Sequence, residues 1–337
     1  GSIHQAQVII GLSLTFLVML VVGGDLKFGF GLLPVLGFYG GHSMAIAGGV
    51  VLEDAGYMAG ASDVGATFGT IGMLCGIIWG MIIINKAAES GKTTIKMKRE
   101  ELPKSMLTGY YAVTASATLD PLASQLMMVG LMVFCGYILR TVLMKINPFF
   151  KNLPLFACCL IFSAIFTICT QKNEKINNLI DRQLVVRISG TALEYMIVAA
   201  LATTSLEVFA SYGVALVVVS VGVAIGTYVF AFIVGQYILP KNGRFETELG
   251  LFGQCCGVLA TGLLLLKVVD PDFKTNAATN ITSSSTLGYT YQLQYTLVFM
   301  ALVMTKPLFV YIWSWGLLIL LLGLGIFFGK RMRARGE

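Results

Sequence analysis

Long apolar runs alternate with short polar stops from one end of this chain to the other. Runs near or above about 18 apolar residues read as membrane-spanning helices. The first covers about Gln5 to Val22 and stops at Gly23-Gly24-Asp25. Residues 31–52 are apolar but carry six glycines, each costing about 1 kcal/mol relative to Ala inside a helix. This stretch therefore reads as two half-helices joined at Gly40-Gly41, a re-entrant hairpin, with Glu53-Asp54 returning the chain to water. Backbone of that kind is tolerated at membrane depth only where protein or a watery cavity satisfies it. Val64 to Ile84 is a second span, with Gly65, Gly69, Gly72, Gly76 and Gly80 spaced for close helix packing. A basic loop follows at 85–104. Asp120-Pro121 then carries an N-cap signature and opens a helix to about Met144. Further spans read as Leu153 to Thr170, Ser189 to Leu206 and Tyr212 to Leu239. A second glycine-broken segment lies at about 246–267, and a Ser/Thr/Asn-rich loop at 274–290. Last comes an apolar region from Tyr291 to Phe328, interrupted by Lys306-Pro307.

The two glycine-broken segments share a pattern. Gly37-Phe38-Tyr39-Gly40-Gly41-His42-Ser43-Met44-Ala45-Ile46-Ala47-Gly48-Gly49 is echoed by Gly250-Leu251-Phe252-Gly253-Gln254-Cys255-Cys256-Gly257-Val258-Leu259-Ala260-Thr261-Gly262, at a constant offset of 213. Gly-interrupted segments at matching places in two halves of a membrane protein point to a transporter's binding site. The second tip, by this alignment, falls at Gly253-Gln254.

Composition supports the membrane reading. Charged residues make up 12% of the chain, against about 25% in soluble domains, and mean hydropathy is +0.82. The apolar runs recur along the chain, so a signal peptide does not explain them. The net charge of +6 sits in loops and the C-terminal tail and reads as topology, not as a nucleic-acid surface. Placing the basic 85–104 loop in the cytoplasm makes the first hairpin enter from outside and the second from inside, an inverted pair. The tail Lys330–Arg335 lies outside if 291–328 is one helix and inside if Lys306-Pro307 splits it. Three spans precede the second span–hairpin–span unit and none the first. A matching first half needs roughly a hundred further N-terminal residues, so the chain reads as N-terminally incomplete, with Gly1-Ser2 as an expression scar. The regions divide at 1–104 and 105–337. Of the seven cysteines nearly all fall in apolar runs without CxxC spacing, and they read as small hydrophobes.

The string Gly37-Phe-Tyr-Gly-Gly-His42-Ser-Met-Ala resembles the GGHG-type hairpin of bacterial sodium:glutamate symporters. Phe68-Gly69, the Gly250–Gly262 segment and Val269-Asp-Pro-Asp-Phe strengthen the resemblance. Two departures stand out: Ser43-Met44 replaces a usual Gly-Thr, and Thr261-Gly262-Leu263-Leu264 stands where Thr-Pro-Thr is typical. The resemblance implies an all-α polytopic membrane protein, an inverted-repeat secondary transporter with two re-entrant hairpins and an elevator-type motion. It implies a homodimer among membrane lipid in the bacterial inner membrane, and sodium-driven uptake of L-glutamate, a small anionic amino acid.

Anionic groups leaving water need oriented donors, and half-helix N-termini supply them. Candidate substrate residues are therefore Gly40, Gly41, His42 and Ser43 at one tip, Gly253, Gln254, Cys255 and Cys256 at the other, and Thr67. Sodium, the coupling ion, takes oxygens from unwound backbone and from hydroxyls such as Thr70 and Thr261, with Asp63 as a carboxylate candidate. Each has a plainer role to weigh: His42 as a structural hydrogen-bond partner, Gly65 and Gly69 as packing positions, Asp120 as a cap, Glu53, Asp54 and Asp63 as an aqueous rim. Glu194 sits mid-span, where a carboxylate costs at least about 2.5 kcal/mol, and suits an interhelical contact, a dimer contact or cation binding. Rival readings are transport of another small carboxylate or amino acid, and a non-transporting receptor or scaffold. An intramembrane enzyme lacks a metal-ligand set, a nucleophile–base pair and an organic-cofactor motif.

Overall fold

The structure, a computed structural model, describes residues 1–22, 26–90, 119–146, 155–170, 180–203, 206–240, 243–271 and 274–334. Among these every regular element is helical, as lipid demands of a chain that must satisfy its own backbone. In order they are α1 (Ser2–Val22), α2 (Leu33–Asp54, after a 3-10 turn at Phe28–Leu32), α3 (Ala61–Glu89), α4 (Leu119–Ile146), α5 (Leu155–Thr170) and α6 (Arg182–Thr203). There follow α7 (Leu206–Tyr228, extended by a π-turn at Val229–Val234 and by Gly235–Ile238), α8 (Arg244–Cys256) and α9 (Leu259–Val269). Then come α10 (Ala277–Gln294, extended by a π-turn at Tyr295–Phe299 and by Met300–Thr305) and α11 (Pro307–Ala334). Among the described residues, six helical stretches are long and apolar enough to cross a membrane. The protein is a multi-pass α-helical membrane protein.

Two compact units divide the chain, 1–97 with 199–337, and 98–198. In the second unit α4 and α5 pack closely at Gly136, where an added Cβ would stand 2.7 Å from the Cys159 Cα. Most of the basic 85–104 loop lies outside the described residues, as do the side chains of Asp120 and Glu194.

The first unit is built on α3. Its small residues let other backbones come near: a Cβ at Gly37 would lie 2.7 Å from the Gly69 nitrogen, and one at Gly72 would lie 3.0 Å from the Phe38 Cα. Gly65 meets the Ala45 carbonyl, so both halves of α2 lie on α3 through glycine contacts. Phe30, Phe38, Phe68, Phe252, Val219 and Met300 fill the core between them. Glu53 fixes the corner between α2 and α3, its Oε1 accepting from the Ser62 N–H at 2.9 Å and the Ser62 hydroxyl at 2.8 Å.

Several boundaries differ from the sequence expectation. The polar segment expected as a loop at 274–290 is helical from Ala277. Its hydroxyls bond back to carbonyls one turn earlier, Thr282 to Ala278 at 2.7 Å and Ser285 to Ile281 at 3.1 Å, so they do not compete with the helix. Low hydrophobicity hides this helix from an apolar-run reading. The apolar region after it is not one helix: Lys306 leaves helical geometry (φ −136°, ψ 59°), and Pro307 opens α11. α6 and α7 begin at Arg182 and Leu206, ahead of the expected Ser189 and Tyr212.

After α9 the chain turns on Asp270. Its carboxylate accepts the Lys274 N–H at 2.8 Å, the Thr275 N–H at 2.8 Å and the Thr275 hydroxyl at 2.6 Å. Burial by itself pushes this carboxyl up, but the Thr275 and Lys274 bonds outweigh it and hold it below the usual carboxylate value. A lowered native pKa stabilises the fold fully above the ordinary Asp value of about 3.9, and the contribution fades as pH falls below that through the native pKa. Asp270→Asn is expected to lower Tm near pH 7 by the equivalent of about 1.5–3 kcal/mol. The gap to the parent protein closes as pH drops below about 4. A Tm difference that stays constant from pH 7 to pH 3 would contradict this.

Candidate functional site

Both broken helices interrupt close to their glycines. In α2 the one non-helical residue is Gly41, with φ 71° and ψ −169°. An L-residue with a Cβ resists that backbone. The fold-back that follows brings Leu36, before the break, against Gly48 after it. The second break falls elsewhere than expected. α8 continues through Gly253, Gln254, Cys255 and Cys256, and the backbone departs at Gly257 (φ −118°, ψ −106°) and Val258 (φ −144°, ψ 176°). The half-helix after this break starts at Leu259, one helical turn later than the sequence repeat places it. At Gly257 an added Cβ would meet the Thr261 hydroxyl oxygen at 2.5 Å, which leaves no room for a side chain. Past the turn the arms cross at Gly253, where a Cβ would stand 2.9 Å from the Gly262 Cα.

The two breaks meet. A Cβ on Gly41 would lie 2.7 Å from Val258 Cγ1, and one on Gly72 of α3 would lie 2.5 Å from the Cys256 carbonyl oxygen. α3 thus carries both breaks on one glycine-lined face.

Gln254 joins them chemically. Its Nε2 donates to the Tyr39 hydroxyl at 3.1 Å and to the Ser285 hydroxyl at 3.0 Å, and its Oε1 accepts from Ser284 at 3.3 Å. Tyr39 ends the first half of α2, and the two serines come from the helix expected as a loop. Gln7 of α1 adds a further tie, donating to the Cys255 carbonyl at 2.7 Å and to the Thr227 hydroxyl at 2.8 Å.

The remaining sequence candidates fall in three places. His42 is buried just past the first break, 2.9 Å from the Thr70 hydroxyl through Nε2. Thr70 gives its own proton to the Ala66 carbonyl at 3.2 Å, so the ring donates from Nε2. Ser43 is exposed, and Gly40 faces Gln292, whose Oε1 would be 2.7 Å from a Cβ there. Thr67 donates to the Asp63 carbonyl at 2.8 Å. Asp63 itself is half-buried in the first turn of α3, and Thr261 is buried in α9. Cys255 and Cys256 are buried, their thiols among the helices and their carbonyls meeting Gln7 and Gly72.

Sequence reasoning missed the partners of these residues. His4, Gln5 and Gln7 are fully buried polar side chains in the first turns of an apolar helix. The His4 ring lies 5.5 Å from Tyr39 and 5.0 Å from Tyr295 between ring centroids. Tyr295 sits in the second π-turn, donates to Gln5 Oε1 at 2.6 Å and lies 2.7 Å from the Ser314 hydroxyl. Both ring nitrogens of His4, Gln5 Nε2, Gln7 Oε1 and Gln292 Oε1 are buried without a protein hydrogen-bond partner. Buried polar atoms are costly to leave unsatisfied, so such a set marks a place that a polar guest or water completes. Three polar residues in four positions of a span are costly in lipid, and that was the available signal.

Broken helices that meet inside a multi-pass helical protein, lined by polar groups, are the working parts of a membrane transporter. The chain belongs to the sodium/glutamate symporter family, whose match covers residues 2–245. That span holds α1, the first broken helix and α3, and it ends at the base of α8, ahead of the second break. No curated protein and no solved structure matches the chain.

Proposed function

We propose that this protein takes up L-glutamate together with sodium, binding both where the breaks at Gly41 and Gly257–Val258 meet. The carrying observation is that junction: two interrupted helices touching at Gly41 and Val258 and tied by Gln254 to Tyr39, in a member of the sodium/glutamate symporter family. The halves of α2 and α9 that begin at the breaks aim N-terminal amides at the junction, which suits carboxylates without a basic side chain. Gln7 Oε1 and Gln292 Oε1, with carbonyls near the breaks, suit sodium, which takes oxygen ligands. Thr70, Thr261 and Asp63 remain sodium candidates, and His42 holds the first break to α3.

The runs α1–α2–α3 and α7–α8/α9–α10 follow one order: long helix, broken helix, long helix. The break at Lys306 adds a crossing after α10, which suits the basic tail on the side of the basic 85–104 loop; an inverted pair belongs to the same reading. An elevator-type movement of the paired breaks, a homodimer and a bacterial inner-membrane location belong to the same reading.

The test is mutual dependence. L-glutamate is expected to raise the Tm of the purified protein in sodium and not in potassium, and sodium to stabilise it more when glutamate is present, because coupled binding is reciprocal. Stabilisation by glutamate that ignores sodium would sink the proposal. Ser43-Met44 favours checking other substrates, and an analogue panel in sodium ranks them. Thr70→Val is expected to raise the sodium concentration for half-maximal uptake about tenfold, the loss of roughly one ligand bond. An unchanged sodium midpoint with a lower maximal rate would assign Thr70 to holding His42 alone.

A further inference from the structure

A cavity of 570 Å³ lies away from the junction, between the end of α3, the π-turn of α7 and the base of α8. Lys86 in the last turn of α3 and Arg244 at the start of α8 stand on its wall, and so does the buried carboxylate of Glu248. Arg244 reaches the carbonyls of Leu239 and Pro240 only at 3.4 Å. Those bonds are long, and among the described residues they leave most of the five guanidinium donors for another acceptor. Behind the charges runs an aromatic wall: the Tyr228 and Phe232 centroids are 5.1 Å apart, and those of Phe232 and Phe245 are 6.4 Å apart. Next in sequence to the wall residues Ile83, Phe232 and Gln236, the apolar side chains of Ile82, Ile233 and Tyr237 are exposed.

We propose that this cavity binds a membrane glycerophospholipid whose headgroup carries both a phosphate and an amine. Arg244 and Lys86 take the phosphate, the guanidinium as a planar fork and the lysine as a point charge. Glu248 takes the headgroup ammonium. The aromatic wall takes the glycerol and the first methylenes, and the exposed apolar faces of α3 and α7 beside it carry the acyl chains out into the bilayer. Two observations favour lipid over a small soluble anion. The cavity is far larger than an amino acid needs, and its charges sit at the end of a long apolar span, the depth at which headgroups lie. Basic pockets between helices at that level recognise lipid headgroups. A lipid held there braces the base of α8, and with it the second break, against α3.

The test is equilibrium binding of dioctanoyl phosphatidylethanolamine to the purified full chain in detergent, read by thermophoresis. Dioctanoyl phosphatidylglycerol, soluble phosphoethanolamine and L-glutamate serve as comparisons. No gradient is needed, so the result stands apart from whether glutamate is the cargo. The amine lipid is expected to bind tighter than the glycerol lipid. Lys86→Gln and Arg244→Gln are each expected to weaken it about tenfold, the loss of one charge-assisted bond. Lys86→Arg is expected to keep the affinity, and Glu248→Gln to reduce the preference for the amine headgroup. Lys86 is exposed, so its variant carries the test if Arg244→Gln fails to fold. Affinity unchanged within twofold in Lys86→Gln would overturn the proposal. So would phosphoethanolamine binding as tightly as the lipid, displacement of the lipid by L-glutamate, or a stronger hold on phosphatidylglycerol.

Discussion

Gly41→Val is expected to enter the membrane and to accumulate no glutamate above background. Two effects act on one residue. Its φ of 71° with ψ −169° is backbone that essentially only glycine adopts, at a cost of about 1–3 kcal/mol to an L-residue. The new side chain also meets the second break, because the Cβ would stand 2.7 Å from Val258 Cγ1, the one atom within 4 Å of it. Overpacking of this kind costs about 1–3 kcal/mol when neighbours can shift. Here the neighbour is the second break, so the two valine side chains must turn aside or push apart the two parts whose meeting defines the site. Gly56→Ala is the control. Gly56 has φ 65° with nothing within 4 Å of an added Cβ. It carries a positive φ without any contact at the second break, and its uptake is expected to remain near that of the parent. If both variants lose uptake equally, the meeting of the breaks is not what Gly41→Val disturbs.

Gln254→Leu is expected to abolish uptake as well, for a chemical reason. The leucine leaves the Tyr39, Ser284 and Ser285 hydroxyls without their shared partner, at about 1–3 kcal/mol for each buried group left unsatisfied. Ser284 and Ser285 both retain bonds to the Ile281 carbonyl, at 2.8 and 3.1 Å, so the larger share falls on Tyr39. Tyr39→Phe is expected to lose less by itself and almost nothing further when added to Gln254→Leu. Stability measured by chemical denaturation in all four proteins gives the coupling, expected within about 0.5–3 kcal/mol. Fully additive effects would separate Tyr39 from Gln254 and break the proposed tie between the two helices.

The spans were legible because burial in lipid writes itself as unbroken apolar runs, and the break in α2 was legible because Gly40-Gly41 is a strong local signal. The second break was not. The 213-residue repeat aligns Gly41 with Gln254, yet Gln254 stays helical, bonded to Tyr39 and Ser285. Those partners lie far off in sequence, and local pattern cannot report them. The helix yields only at Gly257, where Thr261 crowds out any side chain. α10 was missed for the opposite reason. Its serines and threonines look like loop, and only their packing on Gln254 and on Tyr39, which touches Gly288, explains a polar helix there. His4, Gln5 and Gln7 were absorbed into an apolar average over α1, although their polarity marks the end of α1 that meets both broken helices.

The most direct measurement is uptake of radiolabelled L-glutamate into proteoliposomes holding the parent protein, Gly41→Val or Gly56→Ala, with an inward sodium gradient and with potassium in its place. The account predicts accumulation that needs sodium in the parent and in Gly56→Ala, and none in Gly41→Val. Accumulation by Gly41→Val at the parent rate, or by the parent in potassium as well as in sodium, would contradict it.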